Sequence, residues 1–265
     1  MKQDGVTRLE PKFVERIWGV TRLSPWFADP PVKIGEVWFP AGQDFPLLVK
    51  FIFTSERLSV QVHPADDYAK LHENSRGKTE MWHILEVRPG AEIAIGLREP
   101  VSRERLQKSI ENGEVEHLLN WVPVQPGETY FTQAGVIHAI GAGVTLCEIQ
   151  QNSDITYRLY DYGRPRELHL ARGLDVSSLD CYEGRRDLPV RCEHFVTEEI
   201  RLPGRAAYEP VAGTDHLLIT LEGSGMLNGA SFHPGQVWRV ATGSTGFSIE
   251  PRTTARLLRT YAPVV

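Results

Sequence analysis

Short apolar or alternating stretches recur along the chain, and 23 glycines and 18 prolines spread over its whole length separate them. Period-two alternation in short segments bounded by such turn residues is typical of β-strands. Strands this numerous and short, with few helices between them, predict an all-β fold built from sandwiches or barrels. The strands predicted on this basis are Glu36–Phe39, Leu47–Phe53, Leu58–His63, Met81–Val87, Glu92–Ile95, Thr129–Phe131, Val144–Ile149, Thr156–Tyr162, His216–Leu221, Gln236–Val240, Phe247–Glu250 and Ala255–Tyr261.

A helical pattern replaces the alternation over residues 102–119. Ser102 is a typical N-cap, and the apolar residues after it repeat at helical spacing up to Asn112-Gly113, a typical helix end. A second short helix is predicted over 115–119, and another over Asp66–His72. We interpret 102–119 as a small helical insertion between strands.

The stretch from Arg164 to Leu188 is rich in charged residues and has neither pattern. Charges in such a run usually form a solvated face. The sequence therefore predicts a connector here between two β units.

Composition excludes several classes of protein. The chain has 29 basic and 34 acidic residues, a net charge of −5, which is not the charge of a nucleic-acid-binding protein. It has no apolar run of the ~18 residues that a membrane span needs and no signal-like segment at its start, so a cytoplasmic location is predicted. Three cysteines without a Cys-x-x-Cys pair argue against a disulfide scaffold and a thiolate zinc site.

Candidate chemistry begins on the predicted strand that ends at His63. Alternation places Ser59, Gln61 and His63 on one face of this strand. Imidazole nitrogen and amide oxygen are both ligands for a divalent ion such as zinc or manganese. Taken alone, the same face is more often simply solvated or hydrogen-bonded.

A second fragment, Gly77–Leu85, places Lys78 and Glu80 on one side of an extended chain and His83 on the other. A carboxylate that enters an apolar strand is costly to bury unless it is paired or bound to a metal. Glu80 is therefore a candidate ligand, with an ion pair to Lys78 as the simpler alternative, and His83 lies outside the candidate site.

A third fragment presents His138 after a turn at Ala134-Gly135. A single histidine in an apolar segment is more often a core residue than a ligand. Three fragments with compatible chemistry favour a metal site, and two histidines, one glutamate and one glutamine leave a coordination position open, as catalytic metal sites do.

These fragments resemble the type I mannose-6-phosphate isomerases (phosphomannose isomerases) in their short bacterial form, a family built on the cupin barrel. The resemblance covers about residues 17–164 and rests on separated blocks in the family's order. They are PLLVKFIFTSERLSVQVHP at 46–64, GKTEMWHIL at 77–85, LLNWVPVQPGETYF at 118–131 and VIHAIGAGVTLCEIQQNSDITYRLYDYGR at 136–164. Gln133 stands where the family usually has proline before the last metal histidine; this change removes no ligand.

The resemblance implies an enzyme that interconverts mannose 6-phosphate and fructose 6-phosphate through a cis-enediol, with one divalent metal per chain, usually zinc. It places substrate-binding or catalytic roles on Ser59, Lys78, Glu148 and Arg158, and leaves open whether Glu148 or Lys78 is the proton-transfer base. Its metal ligands fall on the four residues already selected from the strand pattern: Gln61, His63, Glu80 and His138.

The resemblance further implies two cupin-type jelly-roll barrels. We expect a metal-binding domain over 1–165 with the helical insertion near 102–119, a connector over 166–189 and a degenerate, metal-free cupin over 190–265. The partner is a small sugar phosphate, and the oligomeric state stays open. The alternatives are an isomerase of a related sugar phosphate, a non-catalytic cupin that binds a sugar or sugar phosphate, and a cupin oxygenase with iron. The Gln61 ligand argues against the oxygenase.

Overall fold

β-strands are the main secondary structure of the computed structural model, which describes residues 5–264. In that part of the chain the helices are α1 (Asp66–Glu73), α2 (Arg103–Glu111) and α3 (Leu170–Val176), with a 3-10 turn at Val115–Leu118. The all-β class predicted from the alternation is confirmed. The strands are β1 (Val6–Arg8), β2 (Lys12–Val20), β3 (Ile34–Phe39), β4 (Leu47–Phe53), β5 (Val60–Val62), β6 (Glu80–Val87), β7 (Glu92–Leu97), β8 (Leu119–Pro123), β9 (Thr129–Thr132), β10 (His138–Ile140), β11 (Val144–Gln151), β12 (Tyr157–Tyr160), β13 (Arg185–Arg186), β14 (Val190–Arg191), β15 (Val196–Leu202), β16 (Ala206–Tyr208), β17 (His216–Glu222), β18 (Gly225–Leu227), β19 (Ala230–Phe232), β20 (Val237–Val240), β21 (Phe247–Pro251) and β22 (Ala255–Tyr261).

The strands form four sheets in which the paired neighbours are antiparallel. A seven-stranded sheet has the order β13-β9-β6-β11-β4-β3-β2, and a five-stranded sheet has the order β12-β5-β10-β7-β8. A six-stranded sheet, β1-β20-β17-β22-β15-β14, and a four-stranded sheet, β16-β21-β18-β19, hold most of the C-terminal strands. The strand β4 is buried at every position, as expected for a central strand of its sheet.

The predicted helices form, with one correction. Ser102 caps α2, since its Oγ accepts the backbone N–H of Arg105 at 3.2 Å, and α1 covers the predicted helix at 66–72. The predicted second helix at 115–119 is only a 3-10 turn that ends at Leu118, and Leu119 is the first residue of β8. Pairing with β7 competes successfully with the helical spacing there, because Leu119 lies opposite Leu97.

The helical insertion packs on the five-stranded sheet. Leu106 and Ile110 of α2 and Val115 of the 3-10 turn share one apolar cluster with Val60 and Val62 of β5. This burial of apolar surface holds the insertion on the N-terminal sheets. None of the helices within residues 5–264 is both long and apolar enough to span a membrane.

The predicted connector contains structure that the charge pattern did not indicate. The helix α3 lies within it and packs near β12, with Gly173 so close to Leu159 that a Cβ atom there would lie 2.3 Å from Leu159 Cδ2. The strand β1, at the start of the chain, pairs with β20 in the C-terminal six-stranded sheet. The boundaries 1–165, 166–189 and 190–265 stay a prediction.

Candidate active site

A pocket of about 640 Å³ opens in the N-terminal part of the molecule and is lined by residues of both its sheets. Five of the residues selected from the sequence line it, namely Ser59, Gln61, Lys78, Glu148 and Arg158. The remaining three, His63, Glu80 and His138, are buried, with at most 1 % of each residue exposed. The fold thus brings every sequence-predicted site residue to one region.

Backbone geometry places the two histidines next to each other. His138 opens β10 directly opposite Gln61 of β5. It follows a turn in which Gly135 has φ +89°, a conformation that favours glycine, and the Gly135 N–H donates to the carbonyl of His63 at 2.8 Å. The turn that the sequence predicted therefore forms without the family's proline and connects the two histidine segments.

Glu80 enters from the seven-stranded sheet, as the first residue of β6. Just before it, Gly77 passes so close to the backbone of Ala65 that a Cβ atom would lie 2.6 Å from the Ala65 carbonyl carbon. The N–H of Lys78 then donates to Pro64 at 3.0 Å. This close approach places Lys78 and Glu80 beside His63.

The two imidazoles and the carboxylate form one compact set of donor atoms. His63, Glu80 and His138 each offer a ligand atom, and these atoms all lie within 4.8 Å of one another. His63 Nε2 lies 3.5 Å from Glu80 Oε2, and His138 Nε2 lies 3.4 Å from Glu80 Oε1. Two imidazole nitrogens and a carboxylate are a common ligand set for zinc and other transition metals.

Hydrogen bonds to the far ring nitrogens orient both histidines toward this cluster. His63 Nδ1 lies 2.9 Å from the carbonyl oxygen of Ile155, and His138 Nδ1 lies 2.9 Å from that of Val136. A carbonyl only accepts, so each Nδ1 carries the proton and each Nε2 keeps its lone pair. Metal-bound histidines are held in this way by their surroundings.

Among the residues that the structure describes, neither oxygen of Glu80 accepts a hydrogen bond, although both oxygens are buried. The nearest positive charge is Lys78 Nζ, which is 3.2 Å from Glu80 Oε2 and 3.2 Å from His63 Nε2. A buried carboxylate without hydrogen bonds is costly unless it is paired or coordinates a cation. The residues present therefore fit a divalent metal.

Gln61 lies beside this cluster with its amide nitrogen toward it. Gln61 Nε2 is 3.3 Å from His138 Nε2, while its Oε1 accepts from Ser59 Oγ at 3.4 Å. The amide presents its oxygen to the cluster after a 180° rotation of the terminal torsion, which exchanges two groups of nearly equal size. Gln61 thus has the right position for the fourth predicted ligand.

Burial and neighbouring charge control the ionisable groups of the cluster. Burial lowers the pKa of His138 to about 4 and, with Lys78 nearby, holds the pKa of His63 well below its usual value. Both imidazoles are therefore neutral, the form that binds metals. Burial and the charge of Glu148 raise the pKa of Glu80 to about 7.

One charged residue of the pocket wall, Lys50, was not selected from the sequence. It is 2 % exposed in the middle of β4, and its Nζ lies 3.3 Å from Glu148 Oε1. The other oxygen of Glu148 accepts the indole N–H of Trp82 at 3.0 Å. The signal in the sequence was the position of Lys50 in the otherwise apolar segment Leu47–Phe53, because an isolated buried lysine needs a partner of opposite charge.

The charge of Glu148 departs from one expectation. A general base is expected to have a pKa tuned towards neutrality. Burial raises the pKa of Glu148, but Lys50 and Lys78 outweigh burial, and the net result is a pKa below the usual value. Glu148 is therefore an ionised carboxylate in the pocket wall.

Within residues 5–264, Arg158 lines the pocket without an ion pair to Glu148 or Asp161. Its Nη1 donates to the carbonyl of Glu167 at 2.8 Å, and within residues 5–264 its buried Nε has no hydrogen-bond partner. Asp161 pairs instead with Arg164 and Arg166.

Known proteins with similar sequences carry one name. The Bacillus subtilis protein called "Probable mannose-6-phosphate isomerase GmuF" is 35 % identical over 274 residues, which cover 83 % of this chain and 86 % of that protein. Mannose-6-phosphate isomerase ManA of Bacillus subtilis is 34 % identical over 281 residues, 85 % of this chain and 88 % of that protein. The chain belongs to the mannose-6-phosphate isomerase family. No family model matches the chain.

The fold of the chain agrees with this family assignment. The crystal structure of the mannose 6-phosphate isomerase from Bacillus subtilis superposes with a TM-score of 0.85 and 28 % identity, covering 97 % of this chain and 99 % of that one. The structural match extends over the C-terminal half, beyond the residues 17–164 that carry the sequence resemblance. The cupin-type fold expected for the family is confirmed.

Proposed function

We propose that the chain is a metal-dependent aldose–ketose isomerase that interconverts mannose 6-phosphate and fructose 6-phosphate by proton transfer through a cis-enediol. The observation that carries the proposal is the buried set of His63, Glu80 and His138. Lys78, which contacts this set, lines the same pocket as the Lys50–Glu148 pair. The named relatives cover most of the chain, which argues against a non-catalytic sugar-binding cupin.

We assign the metal to His63, Glu80 and His138, with the oxygen of Gln61 as fourth ligand, and zinc as the ion. When bound, a divalent ion supplies Lewis-acid stabilisation of the negative charge that develops on the sugar oxygens. Two histidines and one carboxylate also occur in iron oxygenases, but the neutral amide ligand and the relatives favour the isomerase.

We assign the proton transfer to Glu148 rather than Lys78. Lys78 is in contact with His63 and Glu80, whereas Glu148 lies on the pocket wall with Lys50 on one oxygen and Trp82 on the other. A carboxylate so placed removes a carbon-bound proton and returns it to the neighbouring carbon. Arg158 and Ser59 then bind the phosphate or the developing oxyanion, since the guanidinium is a planar donor fork.

The first test combines metal analysis with a coupled assay on mannose 6-phosphate. We expect about one divalent ion per chain and isomerase activity that a chelator abolishes and zinc restores. His138→Ala should weaken metal affinity at least 10–100-fold, the loss that follows disturbance of metal-ligand surroundings. His233→Ala, at an exposed position far from the cluster in sequence, is the matched control and should keep both metal and activity.

Other results would redirect the proposal. Activity only on another aldose or ketose phosphate would change the substrate, and sugar-phosphate binding without turnover would support the non-catalytic cupin. Full metal content and activity in His138→Ala would contradict the ligand assignment.

A further inference from the structure

The buried Lys50–Glu148 pair belongs to a longer row of side chains that crosses the seven-stranded sheet. In the register of the sheet, Trp38 of β3 lies opposite Lys50 of β4, Lys50 opposite Glu148 of β11, and Glu148 opposite Trp82 of β6. Directly opposite residues share one face of a sheet and are in contact distance. The Lys50–Glu148 pair is thus flanked by an indole on each side.

The two indoles contact the pair in different ways. Trp82 donates its N–H to Glu148 at 3.0 Å. Trp38 offers its ring face, and Lys50 Nζ lies 4.5 Å from the ring centroid, within the distance at which an ammonium is attracted to an aromatic face. Glu148 alone gives the ammonium one contact, at 3.3 Å, so the ring supplies the second point that fixes where Nζ lies.

The orientation of Trp38 is fixed from behind by Glu36, two residues earlier on the same face of β3. Trp38 Nε1 donates to Glu36 Oε2 at 3.0 Å, and Arg16 Nη2 of β2 donates to the same oxygen at 2.8 Å. The side chain of Glu36 is only 12 % exposed. Glu36 and Arg16 both line the pocket, so the hydrogen bonds that fix the Trp38 ring involve residues of the pocket wall.

We propose that Trp38 and Glu36 are positioning residues that hold the Lys50 ammonium against Glu148. The inference rests on the proposed function, in which Glu148 exchanges a proton with the substrate. Lysine has a flexible four-carbon stem, and an ammonium seated between a ring face and a carboxylate loses the other orientations of that stem. A fixed ammonium keeps Glu148 ionised and holds its orientation. Trp38 acts only through Lys50 and touches no reacting atom itself.

The test compares three variants in the metal-loaded enzyme. Trp38→Leu removes the ring face and should lower kcat about 10–100-fold with KM nearly unchanged, since a small misplacement of a catalytic group costs about that much. Trp38→Phe keeps a ring but loses the N–H, and should recover part of the loss. Glu36→Gln keeps an acceptor oxygen and should have a smaller effect than Trp38→Leu.

Lys12→Ala is the matched control. Lys12 is exposed at the β2 edge of the row, directly opposite Trp38, and its Nζ lies 5.5 Å from the same ring, but the strand β3 separates it from Lys50 and Glu148. Its removal should leave kcat, KM and the melting temperature unchanged. An equal loss of kcat in this variant would show that the ring responds to any nearby cation, which would overturn the assignment to Lys50.

A second readout reports proton handling directly. In D₂O, solvent deuterium incorporated at C1 or C2 per turnover should rise in Trp38→Leu, because a displaced ammonium exposes Glu148 to exchange with water. A side chain that only fills space would not change this ratio. If wild-type protein has no isomerase activity, the proposed function fails. If wild type is active and the Trp38 variants keep kcat and deuterium content, or lose only metal or melting temperature, the positioning role fails.

Discussion

Arg158 is the cation of the pocket whose guanidinium is least committed to other groups. In the part of the chain that the structure describes, Lys50 and Lys78 are each near a glutamate and Arg166 is bound by Asp161, whereas Arg158 reaches only a backbone carbonyl. Burial and the nearby Arg166 lower its pKa, so an anion beside it would be favoured. We therefore expect Arg158 to bind a phosphate or an enediolate.

Arg158→Ala should reduce turnover on the order of 10²–10³-fold, the scale of a lost charge-stabilising donor. Metal content and melting temperature should survive, because the side chain is no metal ligand and gives up one hydrogen bond to Glu167. Isomerase rate, metal content and thermal melting should be measured on one preparation.

Arg158→Lys is the useful companion, since it keeps the charge and loses the planar fork, and should recover only part of the rate. A fully active Arg158→Ala enzyme would remove Arg158 from the mechanism. A variant that loses metal or melts early would instead identify a structural role.

Single residues also show how far the sequence could go. Gln61, His63 and Glu80 were found because alternation along a strand identifies which side chains share a face. Lys50 and its contact with Trp38 were not found, because a cross-strand register brings together residues that no local pattern relates. The tautomers of the histidines depend in the same way on backbone carbonyls that only the folded chain supplies.

Among the elements, helix α2 gives the clearest link from a residue to stability. Its cap, Ser102, accepts the N–H of Arg105 at 3.2 Å, and its apolar face packs in the cluster under the five-stranded sheet. Ser102→Ala should destabilise the protein by about 1 kcal/mol, the usual value for a lost N-cap, and lower the melting temperature by about 2–4 °C.

Thermal melting and isomerase rate test this prediction together. Activity should be unchanged, since α2 contributes no side chain to the pocket wall. Lys108→Ala, at an exposed position of the same helix, is the control and should not lower the melting temperature. An equal loss in both variants would show that the helix, rather than the cap, is sensitive to substitution.

The elements that the sequence failed to predict have a common physical origin. The strand β2 lies at the edge of its sheet, with Phe13 and Ile17 exposed, so its side chains do not alternate between core and solvent. The strand β15 contains the consecutive polar pair Glu198 and Glu199, whose charges are satisfied by arginines of β22. In both strands, the neighbouring strands rather than the local sequence pattern determine which side chains are buried.

For the whole molecule, one core joins the two halves of the chain. Phe39 and Phe51 of the seven-stranded sheet share a cluster with Phe195, Leu217 and Val237 of the C-terminal part. Since strand β1 also pairs with β20, we expect the metal-free protein to unfold in a single cooperative transition by both fluorescence and circular dichroism. Two separate transitions would show that the halves are independently stable.

A buried histidine in the C-terminal sheet makes that transition sensitive to pH. His216 is 0 % exposed in β17, and burial together with Arg259 lowers its pKa from 6.5 to about 4. As the pH falls, the unfolded chain therefore protonates His216 at a higher pH than the folded chain does. The contribution of His216 to stability is fully present above pH 6.5 and is lost as the pH drops towards 4, by about 3 kcal/mol in total.

His216→Leu should remove this part of the acid limb, so that the free energy of unfolding of the variant declines less between pH 6.5 and 4 than that of the wild type. Denaturant titrations of the chelator-treated protein at several pH values measure the difference. Chelation is necessary because metal binding by His63 and His138 would add its own pH dependence. The exposed His233→Leu serves as the control and should follow the wild-type curve.

Because His216 lies in the C-terminal sheet and the core is shared, the smaller slope should appear in the one transition of the whole molecule. A smaller slope confined to a separate C-terminal step would contradict the shared core, and an unchanged slope would contradict the shifted pKa of His216.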